Sequence, residues 1–251
     1  MDLGLTGRTV IVTGATGGLG GPIARRFAAE GADVVLTYHG AADTAGKLAA
    51  DLGGRTMVAR YELGDAGSAR DLVDAVLAWS GRVDVLVNNA VRWGMSEPDA
   101  SGRFEDVPDD TWLRVLRDNI EGALALSRLV APHMRERRWG RLVHVSSSIA
   151  TNGMADGEYY GAAKAALHGF SRSAAFSLGR SGDILSNVVS PGLTRTKTNG
   201  HIVDSVPASY TDVIPIGRLL DADEITAPVV FLASEANTGI TGQVIAVDGG
   251  V

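Results

Sequence analysis

The feature that most constrains this chain is a regular exchange of two residue patterns along its whole length. Short runs rich in β-branched residues read as strands buried on both faces: Thr9–Thr13, Val34–Thr37, Thr56–Ala59, Val83–Val87, Leu142–Val145, Leu185–Val189 and Val244–Val247. Stretches with helical spacing separate them, at Leu19–Glu30, Ala69–Trp79, Thr111–Arg137, Glu158–Leu178 and Asp223–Ser234. Strand, helix, strand in this order predicts an α/β fold with a doubly wound, seven-stranded parallel sheet, helices on both faces and right-handed crossovers. No Pro-, Gly- or Ser-rich linker interrupts the pattern, so residues 1–251 read as one domain. Two polar segments, 92–108 and 194–215, fit the exchange poorly. Each follows a strand and leaves the carboxyl edge of the sheet, so both read as substrate loops.

Composition removes several functions. The chain has 0 cysteines, which excludes disulfides, a thiolate nucleophile and thiolate-ligated zinc. A formal charge of -6 and an aromatic content of 6% argue against a nucleic-acid partner. His39, His133, His144, His168 and His201 are scattered and form no His-Glu-x-x-His pattern, so no catalytic metal is expected. No apolar run approaches the roughly 18 residues of a membrane span. The first ten residues carry no basic stretch followed by an apolar core. The expectation is a cytoplasmic protein with no membrane partner. Asp109 and Asp110 read as the cap of a helix beginning near Thr111. Arg135, Arg137, Arg138 and Arg141 read as a solvated basic surface.

The 32 glycines exceed an average share, and the excess has an address. The first strand runs into Thr13-Gly14-Ala15-Thr16-Gly17-Gly18-Leu19-Gly20. Glycine here lets the backbone turn tightly and approach an anion, while the following helix presents free N–H groups and a positive dipole end. This turn resembles the cofactor motif of the short-chain dehydrogenases/reductases, and the chain length matches the shorter branch of that family. Further along, Val87-Asn88-Asn89-Ala90 resembles the family's Asn-Asn-Ala-Gly, with Val91 in place of the last glycine. Asn119, Tyr160-Gly161-Ala162-Ala163-Lys164, Pro191-Gly192-Leu193-Thr194-Arg195-Thr196, Ile240-Thr241-Gly242-Gln243 and Val247-Asp248-Gly249-Gly250 match further family motifs in order. The pattern is most similar to 3-oxoacyl-acyl carrier protein reductase-like ketoreductases.

The resemblance implies a Rossmann-type fold and a catalytic set of Asn119, Ser147, Tyr160 and Lys164. Tyr160 and Lys164 are four apart, on one face of a helix, where an ammonium can favour the phenolate of a residue whose ordinary pKa is about 10. Tyr159 lies about 100° around the helix and takes a packing role. Strand alternation places Ser146 and Ser148 on one face and Ser147 on the other, without deciding which faces the site. The family's serine precedes the tyrosine by about 13 residues, and 160 − 147 = 13 selects Ser147. By the same resemblance Ser147 polarises a substrate carbonyl, Tyr160 acts as general acid, Lys164 lowers the tyrosine pKa and binds ribose hydroxyls, and Asn119 holds a water between Lys164 and solvent.

Cofactor contacts are expected from Gly14, Thr16, Gly17, Gly18, Leu19, Tyr38, His39, Glu62, Leu63, Asn89, Ala90, Tyr160, Lys164, Pro191, Gly192, Leu193 and Thr196. The second strand ends Thr37-Tyr38-His39-Gly40, with no carboxylate to repel a 2′-phosphate, so NADP(H) is expected in preference to NAD(H). Glu62-Leu63 stands where relatives flank the adenine, and Arg60 reads as part of the third strand. Trp93, Met95, Met154 and Tyr159 suggest an apolar lining for a mid-sized carbonyl compound, free or carrier-bound. The expected function is NADPH-dependent reduction of a ketone to a secondary alcohol. The alternatives are an NAD-dependent alcohol dehydrogenase, an epimerising relative, and a non-catalytic cofactor-binding scaffold. The resemblance further implies a homotetramer or homodimer.

Overall fold

The computed structural model describes residues 2–93, 103–206 and 208–251. Strands β1 (Thr9–Val12), β2 (Asp33–Tyr38), β3 (Thr56–Arg60), β4 (Val85–Asn88), β5 (Trp139–Val145), β6 (Asp183–Pro191) and β9 (Val244–Val247) form a seven-stranded sheet in the order β3-β2-β1-β4-β5-β6-β9. Every neighbouring pair is parallel. Between β6 and β9 in the chain, β7 (Thr194–Arg195) and β8 (Leu220–Asp221) pair separately.

Alternation along the strands divides the core into two layers. Val10, Val12, Val34, Leu36, Val85 and Val87 face one side, against α1 (Gly20–Ala29) and α9 (Ala222–Leu232). Ile11, Val35, Leu86 and Leu142 face the other, against α3 (Ala66–Ser80), α4 (Asp109–Arg137) and α6 (Glu158–Gly179). All four residues of β1 are buried, which is why a strand flanked by helices on both faces reads as an unbroken apolar run. The expected doubly wound parallel sheet is what the chain forms. No helix among the described residues is long and apolar enough to cross a membrane.

Several local readings need correction. Helix α2 (Ala42–Leu52) was not expected, because it buries only Ala45 and Leu48, a short stripe of few large apolar side chains. Segment 194–215 is not irregular: it holds β7, α7 (Gly200–Val203) and α8 (Ala208–Asp212), elements too short to leave a periodic signal. In segment 92–108, Phe104–Asp106 forms a 3-10 turn, while Gly94, Met95, Pro98 and Gly102 lie outside the described residues. Helix α4 starts at Asp109 itself, after Pro108, so Asp109 and Asp110 sit inside its first turn and favour the positive helix end rather than capping it. The Asp109 carboxylate accepts from Trp112 Nε1 at 2.9 Å.

Arg141 is also not a surface residue. Arg135, Arg137 and Arg138 are exposed, but Arg141 is 0% exposed. Its guanidinium donates to the carbonyls of Ser234 (3.1 Å), Gly140 (3.0 Å), Asp183 (2.8 Å) and Asn237 (3.0 Å) and to the Asp183 carboxylate (2.9 Å). The five-donor fork thus ties the amino end of β5 to β6 and to the segment after α9. Arg141→Met keeps the apolar stem but leaves four carbonyls without this donor. We expect a loss of roughly 3 kcal/mol in urea unfolding; an unchanged midpoint would show that these bonds contribute nothing net.

Candidate active site

The site begins where the strand order turns. β1 lies between β2 and β4, and their connections leave on opposite faces, opening a crevice at the carboxyl edge. Thr13, the residue after β1, joins the two sides. Its hydroxyl donates to Val87 O (3.1 Å) and accepts from the N–H of Asn89 (2.8 Å) and Ala90 (2.9 Å). Asn89 Nδ2 donates to Thr13 O at 2.8 Å. Gly14 follows with φ +65, and a Cβ there would stand 2.9 Å from Ala90 Cα, so only glycine fits without moving backbone.

Next comes the cradle. A Cβ on Gly18 would meet Thr196 Oγ1 at 2.5 Å and Thr198 Oγ1 at 2.7 Å. Helix α1 starts at Gly20 with no side-chain cap and no acidic residue in its first turn; Gly21 N–H bonds to Gly17 O at 3.4 Å and Pro22 has no N–H, while the N–H groups of Gly18, Leu19 and Gly20 make no backbone bond among the described residues. A glycine hollow at an uncapped helix start fits the phosphates of a dinucleotide. The turn therefore brings Gly14, Gly17, Gly18 and Leu19 together with Asn89, Ala90 and Thr196. Gly192 closes on Asp248, where a Cβ would lie 2.9 Å from the aspartate Cβ. Pro191, Gly192 and Leu193 link β6 to the segment that carries Thr196.

The proton-handling residues stand at the same edge. Lys164 is buried on α6 and donates from Nζ to Val145 O at 2.9 Å, at the end of β5. That bond fixes the lysine two residues before Ser147. Ser146 Oγ is committed elsewhere, to Lys164 O (3.1 Å) and His168 Nε2 (2.8 Å). Ser147 is half-buried, and its Oγ accepts only a 3.3 Å contact from Ile149 N–H. Ser148 has left the strand and leads into α5 (Ile149–Asn152). Tyr160 is 7% exposed, with the Lys164 ammonium 5.7 Å from its ring centroid and the Trp93 ring 4.5 Å away on centroids.

Burial dominates the electrostatics. It pushes the Tyr160 phenol above its ordinary value, opposite to the lowering expected from Lys164. It also pulls the Lys164 ammonium down to about 8. Near neutral pH the pair is a neutral phenol beside a cation, which is a proton donor with a charge ready to stabilise its conjugate base.

Asn119 spends its side-chain amide on backbone: Nδ2 donates to Arg92 O (2.7 Å) and Val115 O (2.9 Å), and Oδ1 accepts from Arg92 N–H (3.1 Å). Arg92 also pairs with the buried Asp118. These contacts hold the segment that carries Trp93. Tyr159 packs as expected, stacked on Trp112 at 5.3 Å and donating to Phe104 O at 2.9 Å. Met154 is exposed, and Met95 lies outside the described residues.

At the far end of the crevice Tyr38 stands in register with Arg60. Arg60 Nη2 lies 2.8 Å from Glu62 Oε2, and His39 Nε2 lies 3.7 Å from Glu62 Oε1. Leu63 is half-buried and packs beneath Gly122 of α4, where a Cβ would lie 2.5 Å from Leu63 Cδ2. Thr16 is half-buried in the glycine turn.

Sequence reasoning missed Thr13 as a clasp and Asn199 as the anchor of the lid, the substrate loop that begins at Thr194. Asn199 Oδ1 accepts from Thr196 N–H (2.8 Å) and Oγ1 (2.9 Å), and its Nδ2 donates to Thr194 O (2.8 Å). The available signal was a Thr-Lys-Thr-Asn run, a local side-chain-to-backbone turn pattern. A separate open hollow of about 740 Å³ lies behind the lid, lined by Arg195, Val203, Arg218, Asp221 and Glu224 among others. Its arginines are already paired, Arg195 with Asp204 and Arg218 with Glu224.

Comparison with known proteins agrees with this geometry. A family profile described as Enoyl-(Acyl carrier protein) reductase matches residues 14–251. The chain is 37% identical over 245 residues to a cis-4-hydroxycyclohexanecarboxylate dehydrogenase of Sinomonas cyclohexanicum, covering 97% of this chain and 96% of the relative. It is 35% identical over 248 residues to the 3-oxoacyl-acyl-carrier-protein reductase FabG of Salmonella typhimurium, covering 98% and 97%. A solved structure titled short chain dehydrogenase/reductase family protein superposes with a TM-score of 0.87 at 34% identity, covering 100% of this chain and 98% of the other.

Thr13→Val tests the clasp. It keeps the side-chain shape but strands the N–H of Ala90 and leaves that of Asn89 only its 3.1 Å bond to Val87 O. We expect roughly 2 kcal/mol lost in chemical unfolding and a weaker nucleotide site. Wild-type stability in this variant would remove the clasp from the account.

Proposed function

The chain belongs to the short-chain dehydrogenase/reductase family, and on that premise we propose that it reduces a ketone to a secondary alcohol with NADPH. Membership makes it an NAD(P)-dependent oxidoreductase. The observation that carries the finer reading is Tyr160 and Lys164 buried together, with Lys164 bonded to Val145 O two residues before Ser147, whose hydroxyl proton is not used in a described hydrogen bond.

A bound nicotinamide supplies the hydride, and the chain supplies position and a proton. Ser147 donates its hydroxyl to the substrate carbonyl, polarising it. Tyr160, held neutral by burial, gives its proton to the developing alkoxide as general acid. Lys164 stabilises the phenolate left behind. Asn119 fixes Arg92 and so the Trp93 wall over Tyr160. The water between Lys164 and solvent, and the Lys164 bond to ribose hydroxyls, are carried over from the family resemblance as parts of this proposal. Trp93 and Met154 form the apolar side of the substrate pocket, with Tyr159 supporting it from behind.

NADPH is the proposed nucleotide because Tyr38 replaces a carboxylate at the end of β2, with His39 next to it and Arg60 opposite in register. Glu62 already engages Arg60, so a 2′-phosphate would compete for that arginine. An alcohol-oxidising reading is favoured by the dehydrogenase names of the Sinomonas relative and of two L-rhamnose 1-dehydrogenases. We assign the substrate to the class of mid-sized carbonyl compounds, free or carrier-bound. The assembly is proposed as a homotetramer or homodimer. In support, Leu113 on α4 and Phe176 on α6 expose apolar side chains on the two long helices. The proposed location is the cytoplasm.

Tyr160→Phe is expected to lower ketone-dependent NADPH oxidation by more than about 100-fold while NADPH still binds, and Tyr159→Phe is expected to stay active. Near-normal turnover in Tyr160→Phe would overturn the assignment. The wild-type reduction rate should fall as pH rises through about 8, where Lys164 passes from charged below to neutral above. A rate that climbs through that range contradicts the role given to Lys164.

For nucleotide choice, NADPH should bind more tightly than NADH, and Arg60→Ala should weaken NADPH by about tenfold while leaving NADH nearly unchanged. A wild-type preference for NADH refutes this reading.

A further inference from the structure

Asp118 is a buried carboxylate that the proton-handling chemistry leaves unused. It sits on α4 at 5% exposure, one residue before Asn119, and among the described residues Arg92 is the cation that pairs with it. A carboxylate taken out of water needs such a partner to stay charged. The two neighbours on α4 hold one residue at two points: Asn119 takes the backbone of Arg92, and Asp118 takes its guanidinium. One point fixes where a residue lies, and the second fixes its rotation about the chain. Trp93 comes next, and its ring stands 4.5 Å from the Tyr160 ring on centroids. The other side of the carboxylate faces the turn after β3. Gly64 there has φ +77, and a Cβ on it would overlap Asp118 Oδ1. The same turn is fastened to α4 through Gly122, whose carbonyl accepts from the Tyr61 hydroxyl at 3.1 Å.

We propose that Asp118 is a positioning residue for the reduction, seating Trp93 on Tyr160 through Arg92, with Gly64 bare so that the carboxylate can stand there. This rests on the ketone-reducing reading of the site. Asp118 acts on the carbonyl only through the wall that Arg92 and Trp93 form. Gly64 belongs to the turn that carries Glu62 and Leu63, at the nucleotide end of the crevice. A side chain added at Gly64 pushes on the carboxylate and so disturbs the substrate wall without lying in it.

Two readouts test it. The first is acrylamide quenching of Trp93, taken as the part of the emission that Trp93→Phe removes. Asp118→Leu, which fills the space without an acceptor, and Gly64→Ala should each raise quenching by about twofold. Gly81→Ala should not: Gly81 has φ +71 and no neighbour within 4 Å of an added Cβ, so it reports backbone strain alone. The second is reduction of ethyl acetoacetate with NADPH. Asp118→Leu should raise the ketone KM about tenfold and leave the Kd of NADPH unchanged, and Arg92→Met added to it should cost nothing further. Unchanged quenching and KM overturn the proposal. So does equal weakening of ketone and nucleotide, which is a loosened fold rather than a misplaced wall. A wild type that binds NADPH and leaves the ester unreduced counts against the ketone reading, and quenching still decides the seating of Trp93.

Discussion

Everything at the carboxyl edge depends on how β1 and β4 are fastened where they separate. Two adjacent parallel strands whose helices leave on opposite faces must diverge, and the backbone groups there lose their ladder partners. Thr13 bridges the gap: its N–H still donates to Val87 O, and its hydroxyl adds a second bond to that carbonyl while taking the N–H groups of Asn89 and Ala90. Gly14 can then turn with positive φ directly against Ala90. Without that contact distance the cradle around Gly18, the start of α1 and the lid residues Thr196 and Thr198 would not meet.

A second constraint is burial of charge. Lys164 is nearly fully buried, yet its ammonium is used on the carbonyl of Val145 rather than on a carboxylate. Removal from water lowers its affinity for a proton, and the same environment raises that of Tyr160. The two shifts drive the residues' proton affinities apart and hold the phenol neutral beside the cation. That is suited to giving a proton to an alkoxide, and of the two groups it is the lysine that titrates nearer to physiological pH.

The large elements were legible because the sheet is covered on both sides: β1 and β4 have no choice but to be apolar throughout. The Tyr160–Lys164 spacing was legible because helical geometry alone puts the two on one face. Other features rest on pairings remote in sequence. The Thr13 clasp joins residues 76 and 77 positions apart, which no local pattern can reveal. Arg141 was misread because it follows three exposed arginines, while its partners lie as far off as Asn237. The lid was opaque because its helices α7 and α8 span 4 and 5 residues, too few for periodicity. The direction of the Tyr160 shift depends on how completely the fold closes over the ring, and spacing cannot supply that.

The most direct test of the account is isotopic. NADPH carrying deuterium at the transferable C4 position is incubated with the enzyme and a ketone that it turns over, and the alcohol is analysed by mass spectrometry. The account predicts one deuterium on the new carbinol carbon for each nucleotide oxidised. Nucleotide consumption without label in the alcohol, or no consumption across a broad set of ketones, would contradict it.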